Sequence, residues 1–248
     1  MTIRSAAKAA TRRLFNHKLS RLGFASVMLA VPLAACSTGS SAANGNGAQV
    51  LVDRSTLTVE TMLGGGGAAG NQAAQFLRRA KAVVVCPRIF KAGFFIGGEG
   101  GDCVLVSRAA NGSWSDPAFY SMGSGSFGLQ IGAQDAEVMM MLMNQTALNA
   151  FLNSQFKVGA DAGLSVATIG AGIGGSTGTA LGADIVTFTK SRGLYGGVSL
   201  SGSVFSNDSA LDQQYYGQSV GPRQIVVNMA AQNAGANPLR AMLGRFGG

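Results

Sequence analysis

The chain has 248 residues, of which 47% are hydrophobic and 12% charged, and its formal net charge is +8. Its single histidine is His17. A chain without histidine beyond that position cannot build a Ser-His-Asp or Cys-His catalytic apparatus there, and it lacks the commonest ligand of zinc and copper sites. We therefore expect neither an enzyme nor a metal or cofactor site.

The N-terminal segment has the features of a secretory signal. Residues 1–21 contain six Lys or Arg and no acid, and an apolar run of 14 residues, 22–35, follows. A basic stretch, a short apolar run and small residues at its end are typical of such signals. The run is too short to cross about 30 Å of hydrocarbon as a helix. We predict that residues 1–35 are a signal peptide that the mature protein lacks.

A lipidation motif closes this segment. Leu33-Ala34-Ala35-Cys36 resembles the lipobox of bacterial lipoproteins. The resemblance implies cleavage before Cys36 and acylation, for example by palmitate, of that cysteine; the plain alternative is a free or disulfide-bonded cysteine. Ser37 follows where an Asp would favour inner-membrane retention, so we expect a lipid anchor in the outer membrane that faces the periplasm. Residues 11–15 also resemble a twin-arginine export motif, so this route and the general secretory route both stay open.

The positive charge belongs mostly to the signal. Six of the 19 Lys and Arg lie in residues 1–35, and all 11 acids lie beyond it, which leaves a net charge of +2. Nucleic-acid binding would need a basic patch on the folded domain, so we expect none. Residues 36–49 are small and polar and predict a flexible tether. Residues 50–248 are then enough for a single domain with its own core.

The first predicted elements of the domain are helical. Residues 50–63 carry apolar side chains at helical spacing, and Asn71 is a candidate cap for a second helix that ends near residues 78–81. Short β-type runs follow from Ala82. The stretches 93–96 and 103–107 predict a hairpin around a glycine-rich turn at 97–102.

The rest of the domain is predicted to be mainly β. Asn144 is a candidate cap for a helix with an apolar stripe, and a short helix is expected at 209–216. Abundant glycine in strands favours a strongly curved antiparallel sheet. The fold class is therefore α+β, mainly antiparallel β in a curved sheet, sandwich or partly closed barrel, with a few short helices. Strands are expected at 83–85, 118–121, 128–132, 138–143, 157–168, 184–190, 194–205 and 224–227.

Four segments between Asn71 and Gly217 resemble the SYLF domain family. The resemblance implies a single SYLF-like domain that binds membrane lipids without catalysis. Eukaryotic members resemble phosphoinositide binders, and some have roles in actin regulation that we do not transfer to a bacterial envelope. The matching segments are residues 79–85, residues 91–94 with 97–99, residues 114–121 running into 125–134, and residues 191–200.

The candidate lipid contacts are a basic cluster. Clustered cations attract anionic headgroups by about 1 kcal/mol each near a membrane, although a solvated helix end is an equal alternative. The cluster consists of Arg78, Arg79, Lys81, Arg88 and Lys91. Anionic lipid headgroups are the expected partner, and an envelope protein that pairs with an exposed sheet edge is the alternative.

Two cysteines remain in the predicted domain. Cys86 and Cys103 are either a disulfide, which an exported compartment permits, or two buried thiols. Acidic residues occur in pairs at Glu99 and Asp102 and at Asp135 and Glu137, which we interpret as solvated turn and edge charges. The run of methionines at 139–143 predicts a buried core strand in preference to a lipid groove.

Overall fold

The computed structural model of the protein describes residues 46–93, 96–127, 132–160, 163–170, 182–193 and 200–248. Residues 1–45, with the predicted signal peptide, Cys36 and most of the predicted tether at 36–49, lie outside the described residues. Residues 47–49 are not a flexible tether, because they begin a helix in which Gly47 and Ala48 are buried. The strands within the described part form a single sheet in the order β5-β8-β3-β2-β1-β4-β7-β6. Their bounds are β1 Ala82–Gly93, β2 Ile96–Ser107, β3 Ala118–Phe127, β4 Gly132–Leu142, β5 Gln155–Lys157, β6 Val166–Gly170, β7 Ile185–Gly193 and β8 Val204–Asn207.

Helices cover both faces of this sheet. In the described part they are α1 Gly47–Gly64, α2 Gly67–Arg79, α3 Gln145–Phe151, α4 Ser209–Tyr216, α5 Pro222–Val226 and α6 Asn237–Gly247. A 3-10 turn at Ala234–Ala236 precedes α6. Among the described residues no helix combines the length and the hydropathy that a membrane crossing requires.

The sheet is curled into a half-barrel. Every neighbouring pair of strands is antiparallel except β6 and β7, which run parallel. The short strands β5 and β6 lie at the two edges. The predicted class, α+β with a curved and mainly antiparallel sheet, is confirmed.

The centre of the sheet is buried on both faces. Side chains alternate across a strand, so Val83 and Val85 of β1 point to one face and Val84 and Cys86 to the other. The first face packs against α1, α2, α4 and α6. The opposite face carries a second core that includes Phe151 of α3 and residues of α5. We call these the helical face and the opposite face.

A buried carboxylate joins α4 to the sheet. Asp212 is fully buried and accepts hydrogen bonds from the backbone N–H of Phe119, at 3.0 Å, and from Nδ2 of Asn207, at 2.7 Å. Burying a carboxylate requires such partners. The pair of bonds fixes the start of α4 beside β3 and β8.

Several predicted elements agree with the structure. Asn144 caps α3 by accepting a hydrogen bond from the N–H of Ala147 at 2.8 Å, and α4 has the predicted bounds. Met139, Met140 and Met141 are fully buried core residues of β4. The predicted strand at 157–168 is not continuous: of its described residues, only residue 157, in β5, and residues 166–168, in β6, are in strands. Residues 128–131, 171–181 and 194–199 lie outside the described residues.

Other predictions were wrong. Residues 224–227 are not a strand, because Pro222 begins the helix α5, which buries Ile225 and Val226. Asn71 does not cap α2, which begins earlier, at Gly67. Residues 97–102 are not a turn but part of β2, with Gly97 opposite Gly93 of β1. The C-terminal helix α6 was not predicted at all.

Candidate functional site

One face of α1 remains exposed beside the sheet. Val50, Arg54 and Leu57 are spaced three and four residues apart, so they share one side of the helix. Val50 is 40% and Leu57 61% exposed, although the opposite side of α1 is buried in the core. A helix that keeps large apolar side chains in solvent next to a cation presents a surface suited to an amphipathic ligand.

Two adjoining cavities lie along this side of α1. The first, of ≈200 Å³, is lined by residues that include Val50, Arg54, Arg88, Phe90, Asp102 and Asp208. The second, of ≈410 Å³, is lined by residues that include Arg54, Leu57, Arg88, Asp135, Glu137 and Lys190. Because Arg54, Pro87 and Arg88 line both, the cavities are neighbours, and we call them together the α1 groove.

An irregularity in β1 forms the wall of the groove that faces α1. The pairing of β1 with β4 shifts between Cys86 and Ile89, which releases Pro87 and Arg88 from the regular ladder. Glycine is required on the neighbouring strand, because a Cβ on Gly101 would collide with the carbonyl oxygen of Arg88. The bulge therefore aims Arg88 at the groove.

A disulfide precedes the bulge. Cys86 and Cys103 are joined across β1 and β2, so the structure settles the alternatives of a disulfide and two thiols in favour of the bond. Both cysteines are fully buried on the opposite face. The bond ties the two strands together immediately before β1 leaves its regular pairing.

The middle of the groove is basic. Arg88 donates from Nε to Asp135 Oδ1 at 2.8 Å and from Nη2 to Oδ2 at 3.3 Å, and this hydrogen bonding raises the pKa of Arg88. Arg54 makes no ion pair within the described part of the chain. Lys190 stands opposite Glu137 across β4 and β7. Among the described residues, Arg54 and Lys190 are thus groove cations without an ion pair.

One end of the groove is acidic. Asp102 of β2 and Asp208, the N-cap of α4, both line the first cavity. Burial and the charge of Asp208 raise the pKa of Asp102. Neither carboxylate has an ion pair among the described residues. The groove therefore carries opposite charges side by side.

The structure divides the predicted basic cluster. Arg78, Arg79 and Lys81 lie where α2 meets the start of β1, about 20 Å along the strand from Arg88. Arg78 donates to the carbonyl of Phe246 at 3.4 Å, and the Arg79 guanidinium lies 4.8 Å from the Phe76 ring centre. The five cations are not one patch, and of them Arg88 alone lines the α1 groove.

Lys91 faces away from the groove. Its side chain is 17% exposed, and its Nζ lies 3.9 Å from Oε2 of Glu99 on the opposite face. Glu99 is itself buried, which corrects its interpretation as a solvated turn charge. Gln134, opposite Lys91 on β4, is 2% exposed and has no hydrogen-bond partner for its side-chain amide. Sequence patterns gave no signal for this buried polar layer.

The groove itself was largely missed by sequence reasoning. Sequence patterns did not mark Arg54 and Phe90 as site residues, because an isolated cation on a helix and one apolar strand residue are common. The single usable signal was the unpaired apolar residue Leu57 on the polar side of α1. Among the described residues no group of three or more His, Cys, Asp or Glu side chains could hold a metal ion.

Comparison with known proteins identifies the family. The model for "Ysc84: Las17-binding protein actin regulator" matches residues 123–246, half of the chain. The human SH3 domain-containing YSC84-like protein 1 is 27% identical over 174 residues, which cover 70% of this chain and 51% of the relative. LAS seventeen-binding protein 3 of Saccharomyces cerevisiae is 27% identical over 172 residues, covering 67% and 37%.

The two relatives extend well beyond the shared part. This chain spans about half the length of the human relative and a smaller share of the yeast one. The match to the family model runs from the middle of β3 to α6, so β1, β2 and the helices α1 and α2 lie before it. The chain therefore belongs to the Ysc84 family, the SYLF-domain proteins that its motifs resemble.

Proposed function

We propose that this protein is a bacterial lipoprotein, anchored through Cys36 in the outer membrane, whose SYLF domain binds membrane lipids without catalysing a reaction. The single observation that carries the proposal is the α1 groove, where exposed apolar side chains border cations. Lipid surfaces offer both acyl carbon and phosphate, so such a groove matches them in both respects.

The position of α1 supports this role. The helix starts at Gly47, so about ten residues separate it from Cys36, a reach of at most about 35 Å. An acylated Cys36 would keep the groove within that distance of the bilayer. Tethering raises the local lipid concentration, so the domain needs only weak intrinsic affinity.

The disulfide supports an exported location. Disulfides persist in oxidising compartments such as the bacterial periplasm and are rare in the cytosol. The Cys86–Cys103 bond is fully buried, as expected of a bond that serves the fold.

An apolar cavity next to the groove offers a further lipid contact. It measures ≈220 Å³, shares Lys190 with the groove and is lined by residues that include Met62, Ile169 and Phe188. A chain end that left the headgroup region could bury methylene groups there, at about 0.8 kcal/mol each.

Vesicle co-sedimentation tests the proposal. Residues 37–248, which contain the whole described fold, would be mixed without the lipid anchor with anionic and neutral vesicles at two salt concentrations. We expect the domain to sediment with vesicles and its binding to weaken with salt, because the groove cations contact headgroup phosphate. No sedimentation with any vesicle would refute lipid binding by the domain.

A pair of matched variants locates the site. Arg54→Ala with Arg88→Ala removes two charges from the groove, and Arg78→Ala with Arg79→Ala removes two from the end of α2. Two cations at about 1 kcal/mol each predict a loss of roughly tenfold or more for the groove variant. We expect near-normal binding for the α2 variant, and the reverse result would move the site to the original basic cluster.

A protein partner is the second candidate. The yeast relative's name states that it binds Las17, and Ile96 of this chain is 70% exposed at the start of β2. The sheet edges offer few backbone groups for the addition of a partner strand, because β5 has 3 residues and β6 has 5. This function would be favoured if the domain bound an envelope protein but did not sediment with any vesicle.

A further inference from the structure

The α1 groove carries charges of both signs within one small cavity. Resting on the proposed lipid-binding function, we propose that the groove recognises a zwitterionic phosphoethanolamine headgroup. The phosphate would lie beside Arg54 and Arg88, and the protonated amine between Asp102 and Asp208. The proposal names the lipid class that the groove prefers, which lipid binding alone does not specify.

The acidic end is arranged for a small cation. Asp208 is held in place because its Oδ1 accepts the N–H of Leu211 at 3.0 Å, while Asp102 is fixed on β2. Asp102 and Asp208 line the same small cavity, and burial and the charge of Asp208 raise the pKa of Asp102, so the charged form of Asp102 is destabilised there. A cation between them would relieve that repulsion.

The cation is better supplied by an amine than by a metal. Ca²⁺ takes six to eight oxygen ligands in proteins, most often several carboxylates. In the described part of the chain, no third acidic, histidine or cysteine side chain joins Asp102 and Asp208 in a metal-binding group. An ammonium group needs only a few acceptors, and two carboxylates can provide them.

Within the described residues, the basic end has hydrogen-bond donors that no protein group uses. Asp135 occupies Nε and Nη2 of Arg88, and no hydrogen bond within the described residues uses Nη1. Arg54 likewise has no ion pair in this part of the chain. Charge-assisted bonds from guanidinium to phosphate are among the strongest hydrogen bonds in proteins.

The size of the cavity suits a headgroup. Its volume of ≈200 Å³ is below the range of about 300–1,000 Å³ typical of sites for drug-sized ligands. Val50, 40% exposed, and Phe90, 44% exposed, also line it. They would contact the glycerol and the first methylene groups of the lipid while the headgroup enters the cavity.

The same charges disfavour other common headgroups. Phosphatidylglycerol offers no cation, so Asp102 and Asp208 would remain unpaired beside a ligand of their own sign. The trimethylated amine of phosphatidylcholine carries the charge but has no N–H to donate to the carboxylates. The groove therefore discriminates by the presence of an amine with hydrogen-bond donors.

The test compares vesicles that differ in one component. Residues 37–248 would be sedimented with phosphatidylcholine vesicles, either pure or containing an equal fraction of phosphatidylethanolamine or phosphatidylglycerol. We expect binding to the phosphatidylethanolamine vesicles to exceed binding to pure phosphatidylcholine by about fivefold or more. Isothermal titration with soluble phosphoethanolamine and phosphocholine separates headgroup recognition from changes in lipid packing, and phosphoethanolamine alone should bind.

Conservative variants assign the amine site. Asp102→Asn with Asp208→Asn keeps the side-chain shapes, and Asn caps a helix as well as Asp does. We expect this variant to lose the preference for phosphatidylethanolamine while its binding to phosphatidylglycerol is unchanged or stronger. Glu60→Gln, an exposed acid of α1 outside the groove, is the control and should keep the preference.

The outcomes separate the two proposals. Equal binding of all three vesicle types by the unaltered domain, or a preference that survives in the Asn variant, would overturn headgroup selection and leave lipid binding intact. Absence of binding to every vesicle would overturn lipid binding and headgroup selection together. The comparison of vesicles by the unaltered domain needs no variant, so a folding defect cannot obscure it.

Discussion

The two halves of β1 differ sharply although they belong to one strand. From Ala82 to Cys86 every residue is fully buried between the two cores. Beyond Cys86 the strand bulges, and Arg88 and Phe90 reach solvent in the α1 groove. The first half follows the rules of a buried strand, and the second half departs from them where a ligand could bind.

The comparison indicates where mutations should affect stability and where they should affect binding. The buried half is packed on both sides, so lost volume there leaves a cavity. The open half has solvent on one side and can relax around a truncation. The disulfide at Cys86 lies at the boundary between the halves.

The largest expected effect is a truncation on β4, beside the buried half of β1. Met140 lies opposite Val84 and is fully buried, so Met140→Ala should lower the free energy of unfolding by about 2–5 kcal/mol. The matched truncation in the open half, Phe90→Ala, should cost less than about 1 kcal/mol. Urea unfolding of both variants measures the difference, and similar losses would contradict the division of β1.

The next effect concerns the boundary. The Cys86–Cys103 bond closes a loop with a sequence separation of 17, for which chain entropy predicts about 3 kcal/mol of stabilisation. Replacing both cysteines with Ala should lower the melting temperature, and a reductant should have no further effect on that variant. The unaltered protein would also be melted with and without a reductant that acts on the unfolded chain. Equal melting temperatures in the two cases would rule out a stabilising bond.

Sequence patterns predicted the buried parts better than the open ones. The apolar run at 138–143 and the cap at Asn144 follow from strong local signals. The glycines at 97–102 indicated a turn, yet Gly101 is needed inside β2 because the bulge of β1 approaches so closely. That requirement arises from the contact between two strands, so the sequence of either strand alone does not predict it.

The site was harder to predict than the fold. The basic cluster was assembled from residues close in sequence, but an extended strand separates Lys81 from Arg88. Arg54 comes from a different element and joins Arg88 only when α1 packs on the sheet. At 224–227 the apolar residues suggested a strand, whereas Pro222 and packing on the opposite face produce a helix.

A buried acid on the helical side gives a pH-dependent effect. Burial raises the pKa of Asp212 from 3.8 to about 6, although its bonds to Asn207 and Phe119 oppose the rise. A raised folded-state pKa stabilises the fold below the unfolded value of 3.8, and this contribution is lost as pH rises through about 6. The loss amounts to about 2–3 kcal/mol between pH 4 and pH 7.

The variant Asp212→Asn isolates this effect. Asn cannot ionise, so the stability of the unaltered protein relative to the variant should fall as pH rises from 4 to 6.5 and then level off. Urea midpoints at several pH values measure the difference. A constant difference across this range would show that the acid does not titrate there.

The smallest expected effect on stability concerns an exposed ion pair in the open half of β1. Asp135 pairs with Arg88 in solvent, and such exposed ion pairs contribute at most about 1 kcal/mol, so Asp135→Ala should leave unfolding nearly unchanged. Its effect on binding should be larger, because Arg88 loses a competitor for lipid phosphate. We expect anionic vesicles to bind a few-fold more tightly, with a steeper dependence on salt.

The control for this last change is Asp53→Ala, which removes the same charge from an exposed position of α1 outside the groove. If net charge alone attracted the domain to anionic lipid, both variants would bind more tightly by the same factor. Tighter binding by Asp135→Ala alone would mean that the ion pair keeps Arg88 from the lipid phosphate. The same ion pair would then lower headgroup affinity while it holds the bulge of β1 in place. Weaker binding by Asp135→Ala would instead show that Asp135 positions Arg88 for the ligand.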